Sequence, residues 1–333
     1  MERNAITETL DSLRVEGGAV FRNLAVFPLI GQDRRAEPGY LLLDDAIERR
    51  LLLIKEVSQS GSVPDLLVTN SADMPVLILD GEELVGAKQN RVLNLTVLVP
   101  ARSTIQIPVS CVEAGRWSYE SVAFRSSPHA QYAMGRAARA AHVTASLRSS
   151  GERRSNQVEV WADLEEKAAR LGTHSPTGAM MAMYLENAPQ VEEYAQAFRA
   201  VDGQRGAVFA INGRILGMDL FDHSDTLRAV MSKLVRSYAL DAIDSPAMRS
   251  LSPSVNAARA FLRLLTKANL IEAPAVGLGT DVRIESRAVA GGALLALAGV
   301  VHLFSFRRRP TARDLADGFG RMHRASWRRG YQS

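Results

Sequence analysis

From Val76 to Trp117 the chain reads VLILDGEELVGAKQNRVLNLTVLVPARSTIQIPVSCVEAGRW, and no other stretch is so dense in groups able to hydrogen-bond a ligand. Lys88 and Arg91 supply positive charge for a phosphate or carboxylate, Arg91 through a two-pronged contact. Gln89 and Asn90 each carry a donor and an acceptor. Glu82, Glu83 and Glu113 suit ribose hydroxyls or acid–base work, so Glu82 and Glu113 form the candidate catalytic pair. Two glycines in DGEELVGAKQNR let backbone approach a ligand. The bland alternative is a solvated turn with balanced charge between two strands.

The segment CVEAGRW adds to this set. If IQIPVSCVE is a strand, Ile105, Ile107, Val109 and Cys111 share one face, and Glu113 continues it. Trp117 either stacks a planar ring or closes a core. Cys111 would act as a nucleophile only if a neighbouring cation or histidine lowered its pKa; otherwise it is a buried, inert thiol. His302, inside VVHLFSF, reads first as a satisfied core histidine and second as a site residue. Ser175 and Thr177 in THSPTGAM either offer hydroxyls to a phosphate or cap a helix.

The six histidines, at 129, 142, 174, 223, 302 and 323, show no metal-ligand spacing, so no metal site is expected. The chain lacks GxGxxG, GxxxxGK[ST] and GxSxG. This argues against dinucleotide-fold dehydrogenases, P-loop enzymes and α/β-hydrolases.

The elements that must hold these residues change character along the chain. Residues 1–17 read as an N-terminal helical arm. Residues 18–124 follow as short runs rich in Val, Ile, Leu and Thr, broken by Pro, Gly, Asn and Asp, the pattern of a β-rich lobe of sandwich or barrel type. Residues 125–156 turn to Ala, Arg and Ser and read as a linker or exposed helix. In 157–306 the period becomes helical, with a helix from Val158, one near 190–200, one over 224–242 with Ser224 as cap, and one over 254–268. Asn212-Gly213 between apolar runs marks a hairpin, and Gly291-Gly292 suits a turn between two late strands. The expected class is α+β, with a mixed helix and hairpin half packed on the β-rich lobe.

Length favours two lobes or one elaborated domain, and 47% hydrophobic with 23% charged residues is ordinary for a globular chain. The formal net charge of +4 is concentrated in the tail, 307–333, whose arginines outnumber its acids. That tail reads as a solvated end, or as a docking element for an acidic partner or nucleic acid; nucleic acid is not expected elsewhere. A single cysteine fits a reducing cytoplasm, and the N-terminal residues lack the apolar core of a secretion signal. Residues 288–306 carry no Lys, Arg, Asp or Glu, yet their glycines and His302 weigh against a membrane span.

In GEELVGAKQNRV, IPVSCVEAGRW, NQVEVW, GAVFAINGRILGMDLF and VVHLFSF, taken in this order from about residue 20 to 306, the chain resembles the ADP-ribosylglycohydrolase-and-rhodanese-phosphatase-associated protein domain family. The resemblance implies a link to ADP-ribose or NAD-derived nucleotides. It marks Glu82, Gly86, Lys88, Gln89, Arg91, Cys111, Glu113, Trp117, Gln157, Trp161 and His302 as the expected site. The resulting expectation is binding of a phosphorylated nucleotide-like small molecule without a cofactor. Lys88 and Arg91 would take the phosphate, Gln89 and Glu113 the ribose or base edges, and Trp117 or Trp161 the ring. The alternatives are hydrolysis of such a ligand through Glu82 or Glu113, and a non-enzymatic interaction module docking through its tail.

Overall fold

The computed structural model describes residues 2–58, 60–245 and 254–308, and the basic tail beyond Arg308 lies outside the described residues. The class is α+β with a β-rich N-terminal part.

The largest sheet is antiparallel throughout. Its central strands, Leu24–Ile30, Gln204–Ile211, Arg214–Phe221 and Gly299–Arg307, lie side by side, and Val289–Ala296, Thr280–Glu285 and Asn269–Pro274 extend it on one flank. The strands near the N-terminus therefore belong to the same sheet as the second half of the chain. Gln204–Ile211 is buried along its whole length because both sheet faces are covered. Ala207, Phe209 and Ile211 enter one core while Val208 and Ala210 enter the other, as alternation dictates.

Helix Ser224–Asp244 covers the first face with Leu227, Leu234, Val235 and Tyr238. The second face receives Ile6 and Leu10 of helix Glu2–Asp11 together with Phe261 and Leu265 of helix Val255–Thr266. Each such side chain stabilises the fold by about 1.5–3 kcal/mol on leaving water. The Asn212-Gly213 hairpin forms as its sequence indicates, with φ of +50° and +76° at the two turn residues.

Two expectations change in detail. Gly291 and Gly292 lie inside strand Val289–Ala296, and the reversal occurs instead at Leu297 and Ala298, both with positive φ. The pair is needed for close approach: a Cβ on Gly291 would collide with the Phe304 carbonyl and stand 2.7 Å from Ser305 Cα, and one on Gly292 would meet the Arg283 guanidinium at 2.5 Å. The cap of helix Ser224–Asp244 is His223, whose Nδ1 accepts from Asp225 N at 3.1 Å; the Ser224 N–H is held by Asp33. The charge-free stretch 288–306 forms two paired strands, and no described helix is long and apolar enough to cross a membrane.

The β-rich lobe contributes a second sheet, ordered Phe124–Ala130, Glu82–Gly86, Arg91–Leu93, Ser103–Cys111, Asp65–Asn70 and Leu52–Glu56. A small third sheet joins Val97–Val99, Val76–Ile78 and Leu41–Leu42. The Ala/Arg/Ser-rich stretch that follows is a helix, Ala133–Ser150, with Arg136 and Arg139 fully buried. These arginines tie the sheets together. Arg136 donates to Asp80 of the lobe at 3.0 Å and to Asp219 of the large sheet at 2.6 Å, and Arg139 donates to Asp80 at 3.0 Å.

Candidate functional site

Arg91 and Cys111 face each other in register on adjacent antiparallel strands, which brings the two polar patches of the sequence together. The link between strands Glu82–Gly86 and Arg91–Leu93 is a tight reversal with φ of +119° at Gly86 and +42° at Ala87. Asn90 closes it from within, its Oδ1 accepting from Gly86 N at 3.1 Å. Arg116 clamps it from outside, donating to Ala87 O at 2.7 Å, to Asn90 Oδ1 at 3.1 Å and to Glu113 at 2.6 Å.

Glu113 is the hub of this clamp. One carboxylate oxygen accepts from Asn90 N at 3.1 Å and from Arg116, and the other from the Thr177 hydroxyl at 2.9 Å. Burial pushes its pKa up, but Arg116, the Asn90 N–H and Thr177 together hold it below the usual glutamate range. The segment carrying Thr177 is stitched on by backbone bonds from Gly115 N to Thr177 O at 2.8 Å and from Met180 N to Val112 O at 2.9 Å.

Inside the clamp lies Arg91, with no exposed side-chain surface. Its Nη1 donates to Gln89 Oε1 at 2.8 Å, while Nε and Nη2 have no hydrogen-bond partner among the described residues. Glu56 stands 3.9 Å from Nη2, beyond hydrogen-bond reach, and one Glu56 oxygen is likewise unpartnered. A buried guanidinium with two idle donors is costly unless an acceptor arrives. Burial pulls the Arg91 pKa down against the opposing influence of Cys111 and Glu56.

Cys111 donates to Gln89 Oε1 at 3.1 Å, so Gln89 accepts from both the thiol and the guanidinium. Burial raises the thiol pKa, with Arg91 and Trp161 pulling the other way. Gln157 grips the Cys111 peptide at both ends, accepting from its N–H at 2.9 Å and donating to its carbonyl at 2.8 Å. This pair of hydrogen bonds fixes the start of helix Gln157–Leu171, which carries Trp161.

Trp117 is 47% exposed, so it closes no core. Its ring lies 5.7 Å from the Arg91 guanidinium and 5.1 Å from the Lys88 ammonium, and Lys88 is also 5.1 Å from the Tyr119 ring. Lys88 donates to Ser60 O at 2.8 Å. The indole is thus a partly exposed cover over two buried cations, each contact worth from about 0.5 to about 2 kcal/mol depending on how fully the cation is desolvated.

Two residues expected at the site lie in other networks. Glu82 pairs with Lys233 at 2.6 Å and accepts from Leu79 N at 2.8 Å; burial raises its pKa, opposed by Lys233. It shares no bonding partner with Glu113. His302 sits in the core between Thr96, 2.7 Å from its Nδ1, and Asp219, 3.3 Å from its Nε2, stacked on Phe221. Arg91, Gln89, Asn90, Lys88, Cys111, Glu113, Trp117, Gln157 and Trp161 do come together.

Glu56, Arg116 and Thr177 complete the set. For Glu56 the sequence held one signal: strand Leu52–Glu56 alternates buried and exposed, and the glutamate falls on the buried side with Leu52 and Ile54. A charged residue at an inward position asks for a partner.

No curated protein and no solved structure matches the chain. The family model described as the ARG and Rhodanese-Phosphatase-superfamily-associated Protein domain matches residues 12–306, which span the strands, the clamp and the central helices described above. The chain belongs to the ARG and Rhodanese-Phosphatase-superfamily-associated Protein domain family.

Proposed function

We propose that the chain binds a phosphorylated, nucleotide-like metabolite of the ADP-ribose class at Arg91, Lys88 and Trp117, the indole swinging aside to admit it. One observation carries the reading: a fully buried Arg91 whose Nε and Nη2 lack hydrogen-bond partners, with Glu56 no nearer than 3.9 Å, lying beneath a half-exposed indole. A phosphate would take the two free N–H groups side by side, as guanidinium and phosphate geometry favour. Lys88 adds a second cation, and displaced Trp117 offers its face to a base. Asn90 and Glu113 act in this reading as the frame of the pocket, since their polar atoms are committed to the turn. A reducing cytoplasmic setting suits the single buried thiol.

Binding is favoured over hydrolysis because both candidate carboxylates are held by protein cations, Glu82 by Lys233 and Glu113 by Arg116. Calorimetric titration with ADP-ribose, NAD and inorganic phosphate tests the proposal. Saturable binding by the wild type, weakened in Trp117→Ala and lost in a folded Arg91→Ala, supports it. Absence of binding by the wild type at millimolar ligand would falsify it, and turnover of ADP-ribose lost in Glu113→Gln would favour the hydrolase instead.

A further inference from the structure

Another buried arginine stands apart from the motif. Arg205, at the start of strand Gln204–Ile211, is only 3% exposed, yet it lines a cleft of about 660 Å³ between helix Glu2–Asp11 and the end of strand Leu24–Ile30. Its guanidinium is fixed by two carbonyl oxygens: Nε donates to Phe221 O at 3.1 Å and Nη1 to Gln32 O at 2.9 Å. The carboxylates near it are engaged elsewhere. Asp222 accepts from Tyr40 at 2.5 Å and lies 3.6 Å from Arg35, while Asp33 accepts from the Ser224 N–H at 2.7 Å and its hydroxyl at 2.6 Å. Among the described residues no ion pair joins Arg205 to an acid.

A buried cation with only neutral partners is uncommon, because its desolvation is normally offset by a counter-charge. The cleft supplies room for one. Arg14 and Arg34 line the same cleft and are exposed, Arg14 paired with Glu16 at 2.7 Å and Arg34 donating to Ala298 O at 3.2 Å, so three guanidinium groups border one space beside the acids Glu8, Asp33 and Glu16. Burial pulls the Arg205 pKa down, and the more distant Asp222 and Asp33 only partly restore it. The volume is in the range of small-molecule sites, roughly 300–1,000 Å³.

We infer that this cleft binds a small phosphate-bearing molecule, with its phosphate on Arg205, Arg14 and Arg34 and a hydroxyl on Glu8. The site is separate from the Arg91 recess: none of the residues named for one is named for the other. Rigid presentation of Arg205 by two backbone carbonyls leaves its remaining nitrogen to the ligand, and the two exposed arginines close on the phosphate from the rim.

The test is titration of the full chain with inorganic pyrophosphate at constant ionic strength, followed by calorimetry. Saturable binding is expected in the wild type and in Arg91→Ala, with affinity falling at least fivefold in Arg34→Ala. Arg205→Gln, checked for its native circular dichroism, is expected to lose the component of pyrophosphate binding that survives in Arg91→Ala. Because Arg34 is exposed, its variant keeps the test valid even if Arg205→Gln misfolds. No saturable binding in the wild type, binding unchanged in Arg34→Ala, or binding lost in a folded Arg91→Ala would each overturn the inference. The last outcome would instead place pyrophosphate at the motif.

Discussion

The Trp117 indole lies 5.7 Å from the guanidinium of Arg91, a half-exposed ring set over a cation with no exposed side-chain surface. The pairing links the two ends of the motif in space. It also makes the ring the natural gate to the idle Arg91 donors. Replacing Trp117 by alanine should therefore lower ADP-ribose affinity by about 1–3 kcal/mol, the usual worth of a base stacked on an aromatic ring. Stability should fall by about 1–4 kcal/mol, since cation–π contacts to two buried cations are lost. Calorimetry and urea denaturation of the same variant separate the two effects.

Cys111 is completely buried, and burial raises its thiol pKa despite Arg91 beside it. Reaction depends on thiolate fraction and access, and both are low here. Iodoacetamide at neutral pH should leave the native protein unmodified and label it fully in denaturant, as read by mass spectrometry. Rapid native labelling would show that the recess opens far more often than its packing suggests.

Asp219 joins Arg136 and His302 across the large sheet in a region without water access. Burial alone would raise its pKa, but Arg136 and His302 hold it down to about 2. The folded value is below the unfolded value of about 3.9, so the stabilisation is complete above the unfolded pKa and is lost as pH falls through the folded pKa near 2. Asp219→Asn should cost about 3–5 kcal/mol at neutral pH by leaving Arg136 under-compensated. Part of the wild-type loss of stability between about pH 4 and 2 should vanish in the variant, as measured by urea midpoints across that range.

Gly81 adopts φ of +79°, and an added Cβ would stand 2.8 Å from Arg136 Cγ and 3.0 Å from Arg139 Nη2. Gly81→Ala combines backbone strain with crowding of the two arginines that tie the sheets. A loss of about 2–4 kcal/mol in chemical denaturation is expected, the sum of a strained φ and a modest overpacking.

The local parts of this fold were legible in the sequence. Asn212-Gly213 declared its hairpin, and the spacing of Leu227, Leu234 and Tyr238 declared the helix that covers the large sheet. The density of polar groups from Lys88 to Trp117 marked where cations and an indole would gather. What remained hidden depends on long-range pairing. Nothing near Arg136 or Arg139 announces that their partners are Asp80 and Asp219, far off in sequence, so an Ala/Arg/Ser-rich stretch that reads as exposed buries one face of its helix. Glu82 and Glu113 looked like a pair because they flank one motif, yet strand alternation and the approach of Lys233 give them different partners. His223 capping a helix beside Ser224 is a matter of which side chain the Asp33 loop leaves free.

A crystal structure of the protein grown with saturating ADP-ribose reads directly whether Arg91 takes a phosphate. A phosphate oxygen is expected within hydrogen-bond distance of Arg91 Nε and Nη2, with the Trp117 ring moved onto the ligand. A ligand bound elsewhere, or an empty recess with Trp117 unmoved over Arg91, would contradict it.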